Sequence, residues 1–187
     1  MNPQDAVKHA QDKFQTQIAH FNEELKKLRT GRAHPSMLDG VLATAYGVPT
    51  PLNQLATITT PEAQLIQISP FDPSNIQAIA SAIRDNPSLG LNPSDDGRIV
   101  RVPIPALTTE RRQQIVKQLG EKVEESMIAM RQIRHEALDK IAAAKKEKAI
   151  GEDDAKRYEK QIDDAMNKVK QDVDAAAKVK EAEIMKV

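Results

Sequence analysis

Cysteine is absent from the 187 residues. Its absence excludes disulfides, thiolate metal sites and cysteine nucleophiles, and it is compatible with a reducing compartment. Tryptophan is also absent, and the chain has only two tyrosines and three phenylalanines. Stacking on bases is therefore not the expected main mode of any nucleic-acid binding. A bound RNA would instead be recognised by its folded shape and its phosphates.

Long apolar runs are missing as well. No stretch of about 18 apolar residues occurs, so we expect no membrane span and no membrane partner. Residues 1–5 (MNPQD) lack the basic start and apolar stretch of a signal peptide, and they carry an early acidic residue, unlike a transit peptide. We therefore expect a cytoplasmic protein.

Recognisable catalytic and metal-binding patterns are also lacking. No Gly-rich phosphate loop precedes a helix, and no Gly-x-Ser-x-Gly elbow occurs. The acidic pairs Asp153–Asp154 and Asp163–Asp164 are explained by a favourable helix dipole and by solvation. The four histidines have no metal-ligand spacing: His9, His20, His34 and His135. We expect no metal, no cofactor and no small-molecule substrate.

The zero net charge hides a split along the chain. Residues 35–103 contain three basic and six acidic residues, which leaves 24 basic and 21 acidic residues elsewhere. No lysine occurs between Lys27 and Lys117. The flanking part is therefore the better candidate for binding an anionic partner.

Three segments show the three- and four-residue spacing of amphipathic helices. The first stops near Thr30–Gly31, the second starts after Thr108 and continues to about Ala149, and the third starts after Gly151. The apolar stripes are Val7, Ala10, Phe14, Ile18, Phe21, Leu25 and Leu28; Ile115, Leu119, Val123, Met127, Met130, Ile133, Ala137, Ile141 and Ala144; and Ala155, Tyr158, Ile162, Ala165, Val169, Val173 and Ala176.

The middle of the chain has a different pattern, with most of the prolines and many β-branched residues. Residues 41–46, 55–59, 65–69 and 98–102 are predicted strands. Asp72 is a predicted N-cap with Pro73 at the first helical position. The helix that follows would bury Ile76, Ile79, Ala80 and Ile83.

A single apolar stripe does not stabilise an isolated helix, so the three helices must pack together. The predicted fold is an α+β two-domain protein, in which a long antiparallel three-helix bundle (1–30 plus 106–187) is interrupted by a small β/α/β domain (31–105). The chain would cross between them at 30–35 and 102–107, which resemble a two-stranded hinge. The predicted hinge residues are Gly31, Pro35, Val102, Pro103 and Pro105.

Basic residues cluster at three places in the predicted bundle. Cations suit the C-terminal end of the first helix, where Arg29 and Arg32 follow Lys26 and Lys27. No helix end explains Arg131, Arg134 and His135, which lie in the middle of the long helix. Arg131 and Arg134 could bind phosphates, or could form ion pairs with Glu124, Glu125 or Asp139. Arg134 is close to the apolar stripe on a helical wheel, so it could instead cover apolar surface with its alkyl stem. The third cluster lies early in the long helix: Arg111, Arg112, Lys117 and Lys122.

Three functions fit these features. The first is an RNA-binding protein that works through the basic bundle. The second is a coiled-coil scaffold that binds other proteins through its stripes and would self-associate or expose apolar surface. The third is an enzyme with a site in the inserted domain, which would require convergent polar groups.

Several motifs, in order and over essentially the whole chain, resemble the ribosome recycling factor family. They are residues 27–39 (KLRTGRAHPSMLD), 46–56 (YGVPTPLNQLA), 89–93 (LGLNP), 101–105 (RVPIP) and 107–112 (LTTERR). The resemblance implies a monomeric, non-enzymatic factor whose two domains are similar in outline to a transfer RNA. Such a factor binds the large ribosomal subunit after termination. With elongation factor G and its GTP hydrolysis, it then splits the ribosome and promotes release of mRNA and tRNA.

The resemblance also assigns roles to residues. Arg131 and Arg134 match the arginines with which the family binds ribosomal RNA, and Arg29 and Arg32 match basic positions beside the hinge. His135 stands where the family often has a third arginine, and Ala106 replaces a common proline. The candidate rRNA-binding residues are Arg131, Arg134, His135, Arg29, Arg32, Arg111, Arg112 and Lys122.

Overall fold

The fold is that of a computed structural model, which describes residues 2–186 of the chain. The chain divides into two compact units, one formed by Met1–Thr30 with Thr109–Val187 and the other by Gly31–Thr108. We call them the helical unit and the α+β unit.

Three long helices form the helical unit: α1 (Pro3–Lys26), α4 (Thr109–Lys146) and α5 (Glu152–Met185), and each contacts the other two. Lys13 of α1 pairs with Glu136 of α4, and Glu24 pairs with Lys122. Residue numbers along α1 therefore rise while those of their partners on α4 fall, which makes the two helices antiparallel. Arg134 of α4 similarly pairs with Asp163 of α5, and Arg112 with the end of α5. The predicted antiparallel three-helix bundle is confirmed.

The predicted stripes supply most of the bundle core. Phe14, Ile141 and Ile162 are completely buried, one from each helix. Ile18 and Leu28 are only partly buried. The further buried apolar residues of the unit are Ala6, Val7, Ala10, Phe21, Leu25, Ile115, Leu119, Met130, Ala137, Ala144, Ala155, Val169, Val173 and Ile184.

Local capping fixes the helix ends. The Asn2 side chain accepts a hydrogen bond from the Gln4 N–H at 3.1 Å, and Pro3 occupies the first turn. The helix α1 ends at Lys26, four residues before the predicted stop, because the Leu28 N–H turns back to the Leu25 carbonyl. This three-residue bond tightens the chain out of the α-helix.

The end of α4 is a Schellman motif. The Ala149 N–H donates to the Ala144 carbonyl at 2.9 Å, and the Lys148 N–H donates to the Lys145 carbonyl at 3.0 Å. Lys148 has a φ of +57°, in the left-handed region where glycine is usual. The chain reverses here, and Gly151 then precedes α5.

The α+β unit contains two antiparallel sheets. One is a hairpin of β1 (Leu42–Ala45) and β2 (Val48–Pro51). The other has the order β3-β4-β6-β5. Its strands are β3 (Ala56–Glu62), β4 (Leu65–Pro70), β5 (Ser94–Asp95) and β6 (Val100–Pro103). Two helices, α2 (Leu52–Leu55) and α3 (Ile76–Arg84), complete the unit.

The helix α3 begins as predicted. The Asp72 side chain accepts from the Ser74 N–H at 2.9 Å, and Pro73 opens a 3₁₀ turn (Pro73–Asn75) that leads into α3. Its buried face is the predicted one. The core that it covers contains Leu38, Val41, Ala43, Ala45, Leu52, Leu55, Ala56, Ile66, Ile68, Leu91, Val100, Val102 and Ile104.

Candidate ribosomal RNA interface

Arg131 lies on the exposed side of α4 and pairs with a carboxylate of its own helix. Its Nη2 lies 2.6 Å from Oε1 of Glu124, and the two side chains are 59% and 62% exposed. Glu124 was one of the partners that the sequence suggested. Since a solvated pair of this kind is worth at most about 1 kcal/mol, it leaves the guanidinium available to a stronger anion.

Arg134 is bound differently, although it lies less than one turn away. Its Nε donates to Oδ1 of Asp163 at 2.5 Å, and its Nη2 lies 3.5 Å from Oδ2. The hydrogen bond that Arg134 donates to Asp163 raises the pKa of Arg134, and the negative charges of Asp163 and Glu159 raise it further. Asp163 lies on α5, so this pair joins two helices of the bundle. The explanation of Asp163 by dipole and solvation alone was wrong, because the carboxylate has a partner on α4.

The surface around Arg131 also contains His135 and Ile128. The Nε2 of His135 lies 3.4 Å from Asp139, and the His135 side chain is 79% exposed. Ile128 is 55% exposed, one turn before Arg131 and one turn after Glu124. Ile128 was not among the predicted site residues, although its position outside the predicted apolar stripe was a signal that it is exposed. Glu124, Ile128, Arg131 and His135 lie along one exposed face of α4, in which Ile128 is the apolar residue.

Lys122 belongs to a charge network at the contact of α1 with α4. Its Nζ lies 3.3 Å from Glu24 and 3.4 Å from Glu125. The hydrogen bonds that Lys122 donates to these carboxylates, with Glu24 as the larger cause, raise the pKa of Lys122. The pKa of Glu24 is lowered by Lys27 and then by Lys122. The network is therefore a cross-helix contact.

Arg112 binds the end of the chain. Its Nη1 donates to the carbonyl oxygens of Ile184 at 2.5 Å and of Lys186 at 2.7 Å. These carbonyls lie at the C-terminal end of α5, where backbone acceptors lack helical partners. Arg112 thus caps α5 from the first turn of α4. Its neighbour Arg111 contacts Gln114 of the same helix at 3.0 Å.

Arg29 and Arg32 follow α1 and are both exposed. Within residues 2–186, neither forms an ion pair with an acidic side chain. They belong to different units, because the division falls between Thr30 and Gly31. Their side chains are accessible to an anionic partner.

The predicted hinge residues occupy different structures. Gly31 has a φ of +81°, which favours glycine, and Pro35 opens a 3₁₀ turn (Pro35–Leu38). Val102 and Pro103 lie in β6, paired with Ile66 and Leu65, while Pro105 follows β6. The segments near Ala33 and Ile104 are bonded to the β3–β4 turn, through Ala63 at 2.7 Å and Gln64 at 2.8 Å.

Within residues 2–186, no group of three or more His, Cys, Asp or Glu side chains is placed to hold a metal ion. No helix in that range has the length and apolarity needed to cross a membrane.

Comparison with known protein families and their members identifies the family of this chain. The family model described as ribosome recycling factor matches residues 21–185. The chain belongs to the ribosome recycling factor family. It is 41% identical to the ribosome-recycling factor of Cutibacterium acnes over 183 residues, which cover 98% of this chain and 99% of that protein. It is 42% identical to the one of Corynebacterium diphtheriae over 178 residues, which cover 95% and 96%.

Solved structures of ribosome recycling factors share the fold. A solution structure aligns with a TM-score of 0.77 at 32% identity, covering 100% of this chain and 99% of the other. A second structure contains the T. thermophilus ribosome recycling factor and the E. coli elongation factor G bound to the E. coli post-termination complex. It aligns with a TM-score of 0.64 at 36% identity over the full length of both chains.

Family membership decides between the three functions that the sequence left open. Ribosome recycling factors are not enzymes, so the enzyme hypothesis is set aside. The scaffold hypothesis gains no support, because the apolar stripes of the three helices are packed against one another.

Proposed function

We propose that this chain is a ribosome recycling factor. It binds the large ribosomal subunit after termination. With elongation factor G and its GTP hydrolysis, it splits the ribosome and promotes release of mRNA and tRNA. The observation that carries this proposal is the family match over residues 21–185. The relative bound with elongation factor G to a post-termination complex supports the choice of partners. The place of action is the cytoplasm, where ribosomes work.

The function is tested by splitting of post-termination ribosomes, followed by light scattering. The chain, elongation factor G and GTP are added together, and each is omitted in turn. Scattering should fall only when all three are present. Unchanged scattering with the complete mixture would contradict the proposal.

We assign the ribosomal RNA contacts mainly to Arg131, with Arg29 and Arg32. All three are exposed, and only Arg131 has an ionic partner among the described residues, a solvated one. Arginine can bind a phosphate with two N–H donors. His135 and Arg111 extend the exposed surface, whereas Arg134, Arg112 and Lys122 have cross-helix partners and contribute chiefly to the bundle.

The site assignment is tested by Arg131→Ala. We expect large-subunit binding to weaken by about 1–3 kcal/mol, the usual value of a charge-assisted contact, with unchanged helicity and thermal stability. Arg157→Ala is the matched control, since Arg157 is 60% exposed and has a comparable pair with Asp154 at 2.8 Å. Equal binding by wild type and Arg131→Ala would contradict the assignment.

We also propose that the two crossings between the units act as a hinge during splitting. Val102 and Pro103 are paired in β6, and Pro35 lies in a 3₁₀ turn beyond the Ala33–Ala63 hydrogen bond. The proposed hinge is therefore limited to Gly31 and the segment that contains Pro105. Gly31→Pro would change φ from +81° to about −65°. We expect this change to spare subunit binding and to reduce splitting. Intact splitting would remove hinge motion from the mechanism.

A further inference from the structure

Arg131, the arginine assigned above to phosphate contact, already has an anionic partner. Its Nη2 lies 2.6 Å from Glu124 Oε1. Both side chains are more than half exposed, so water competes for the pair and salt screens it. A phosphate oxygen would need this same guanidinium. Glu124 and an RNA phosphate are therefore alternative partners of Arg131.

The pair spans an unusual distance for one helix. Ion pairs along a helix normally join residues three or four apart. Seven residues separate Glu124 from Arg131, about 10 Å along the axis. Side chains lean toward the N-terminus of a helix, which is the direction of Glu124. Arg131 must therefore extend along the surface of α4, past the exposed Ile128.

Arg134 provides the contrast on the same helix. Its partner Asp163 lies on α5, with both side chains partly shielded at 42% and 41% exposure. Releasing Asp163 would break a contact between two helices. Releasing Glu124 breaks no contact between helices, because Glu124 and Arg131 both belong to α4. The Glu124 pair can thus exchange its partner without disturbing the bundle.

We propose that Glu124 is an internal counter-ion that competes with ribosomal RNA phosphate for Arg131. Binding exchanges the carboxylate for phosphate and leaves Glu124 unpaired near a polyanion. Glu124 therefore lowers the affinity of the site and favours release of the protein from the subunit. This inference rests on the proposed function and names a residue that sets the strength of its RNA contact.

The test compares Glu124→Gln with Glu121→Gln. Glu121 is exposed on the same helix, and it has no ion pair within residues 2–186, so it is a matched control for the loss of one negative charge. Dissociation constants for large ribosomal subunits are measured over a series of salt concentrations. We expect Glu124→Gln to bind about two- to fivefold more tightly, the range set by the strength of a surface ion pair. The dissociation constant of Glu121→Gln should stay within about 1.5-fold of the wild-type value, because the Glu121 carboxylate lies away from Arg131.

Salt dependence supplies a second readout. In wild type, Arg131 exchanges one anion for another, and the freed carboxylate attracts a cation from solution. In Glu124→Gln no carboxylate is freed, so no cation is taken up to offset the cation that the RNA phosphate releases when Arg131 binds it. The slope of the logarithm of the association constant against the logarithm of the salt concentration should therefore steepen by up to about one. Both effects should vanish in the Arg131→Ala background.

The outcomes separate this inference from the proposed function. If Arg131→Ala weakens binding while Glu124→Gln and Glu121→Gln behave alike, the counter-ion role is wrong and the RNA contact of Arg131 stands. If Glu124→Gln tightens binding equally with and without Arg131, the effect is general charge repulsion and the inference is again overturned. If the wild-type chain does not bind large subunits, the proposed function fails, and the inference fails with it.

Discussion

The helical unit and the α+β unit differ in how they use charged side chains. The helical unit has ion pairs within single helices, such as Arg131–Glu124, and also pairs that join one helix to another, such as Lys13–Glu136 and Arg134–Asp163. Among the described residues of the α+β unit, the one ion pair is Arg101–Asp96, within a turn and the strand that follows it. Charge therefore contributes to tertiary packing in the first unit and to local turn structure in the second.

The two units also differ in their balance of basic and acidic residues. The α+β unit has four basic and six acidic residues, and it exposes large apolar side chains: Leu42, Tyr46, Val48 and Phe71. The helical unit has 23 basic and 21 acidic residues. A polyanion such as RNA is attracted to the cation-rich surface. The difference favours the helical unit for most of the proposed phosphate contacts, with Arg32 as the proposed contact of the α+β unit.

The largest expected effect comes from breaking the helical core. Ile141 is completely buried on α4, so Ile141→Ala should lower the free energy of unfolding of the helical unit by about 2–5 kcal/mol. Amide exchange of the α+β core should change less, because that core is separate. Ile128→Ala, at an exposed isoleucine of the same helix, is the control and should cost under about 0.5 kcal/mol. Equal losses for the two variants would contradict the assigned core.

The next effect concerns the cap on α5. Arg112→Ala removes two charge-assisted hydrogen bonds to carbonyls at the chain end. We expect a loss of about 1–3 kcal/mol, with faster amide exchange confined to the last turns of α5. Arg157→Ala serves as the comparison, since among residues 2–186 Arg157 has its ion pair with Asp154 of the same helix. Unchanged exchange at the end of α5 would show that Arg112 is not a cap.

A smaller effect of opposite sign is expected at the turn between α4 and α5. Lys148 has a φ of +57° in the Schellman motif, where a side chain costs about 1 kcal/mol relative to glycine. Lys148→Gly should therefore raise the melting temperature of the helical unit. Lys146→Gly, inside the last turn of α4, should lower it. A lower melting temperature for Lys148→Gly would contradict the strained turn.

The smallest effect concerns pH and the α+β unit. Hydrogen bonds from the Ile99 N–H, the Arg101 side chain and the Arg98 N–H lower the pKa of Asp96 from 3.8 to about 2. A carboxylate with a lowered folded-state pKa stabilises the fold above its unfolded pKa. This contribution is present above about pH 4 and is lost as the pH falls toward 2. Asp96→Asn should therefore make the free energy of unfolding, measured with urea, less dependent on pH in this range. The same pH dependence in wild type and variant would contradict the role of Asp96.

Local signals made much of the fold predictable from the sequence. The Asp72 cap, the buried face of α3 and the three stripes follow from spacing within a few residues. The strand β2 was missed because Pro49 and Pro51 lack the N–H that a strand donates. The one-turn helix α2 was also missed, since four residues are too few to show a helical period.

The site was less predictable than the fold. Sequence spacing placed Arg131 and Arg134 side by side, but their different partners depend on which residues of α5 face α4. The same holds for Arg112, whose acceptors lie 72 and 74 residues away. Long-range pairing of this kind has no local pattern, so the fold was required to separate the exposed cations from those with cross-helix partners.

The most direct test of this account is splitting of ribosomes by Arg131→Ala at increasing concentrations, with elongation factor G and GTP in excess. If Arg131 provides affinity through phosphate contact, the variant should need about 5- to 150-fold more protein for half-maximal splitting, the equivalent of 1–3 kcal/mol. It should reach the wild-type rate at saturation. An unchanged half-maximal concentration with a lower plateau would contradict the account, because Arg131 would then act in splitting and not in binding.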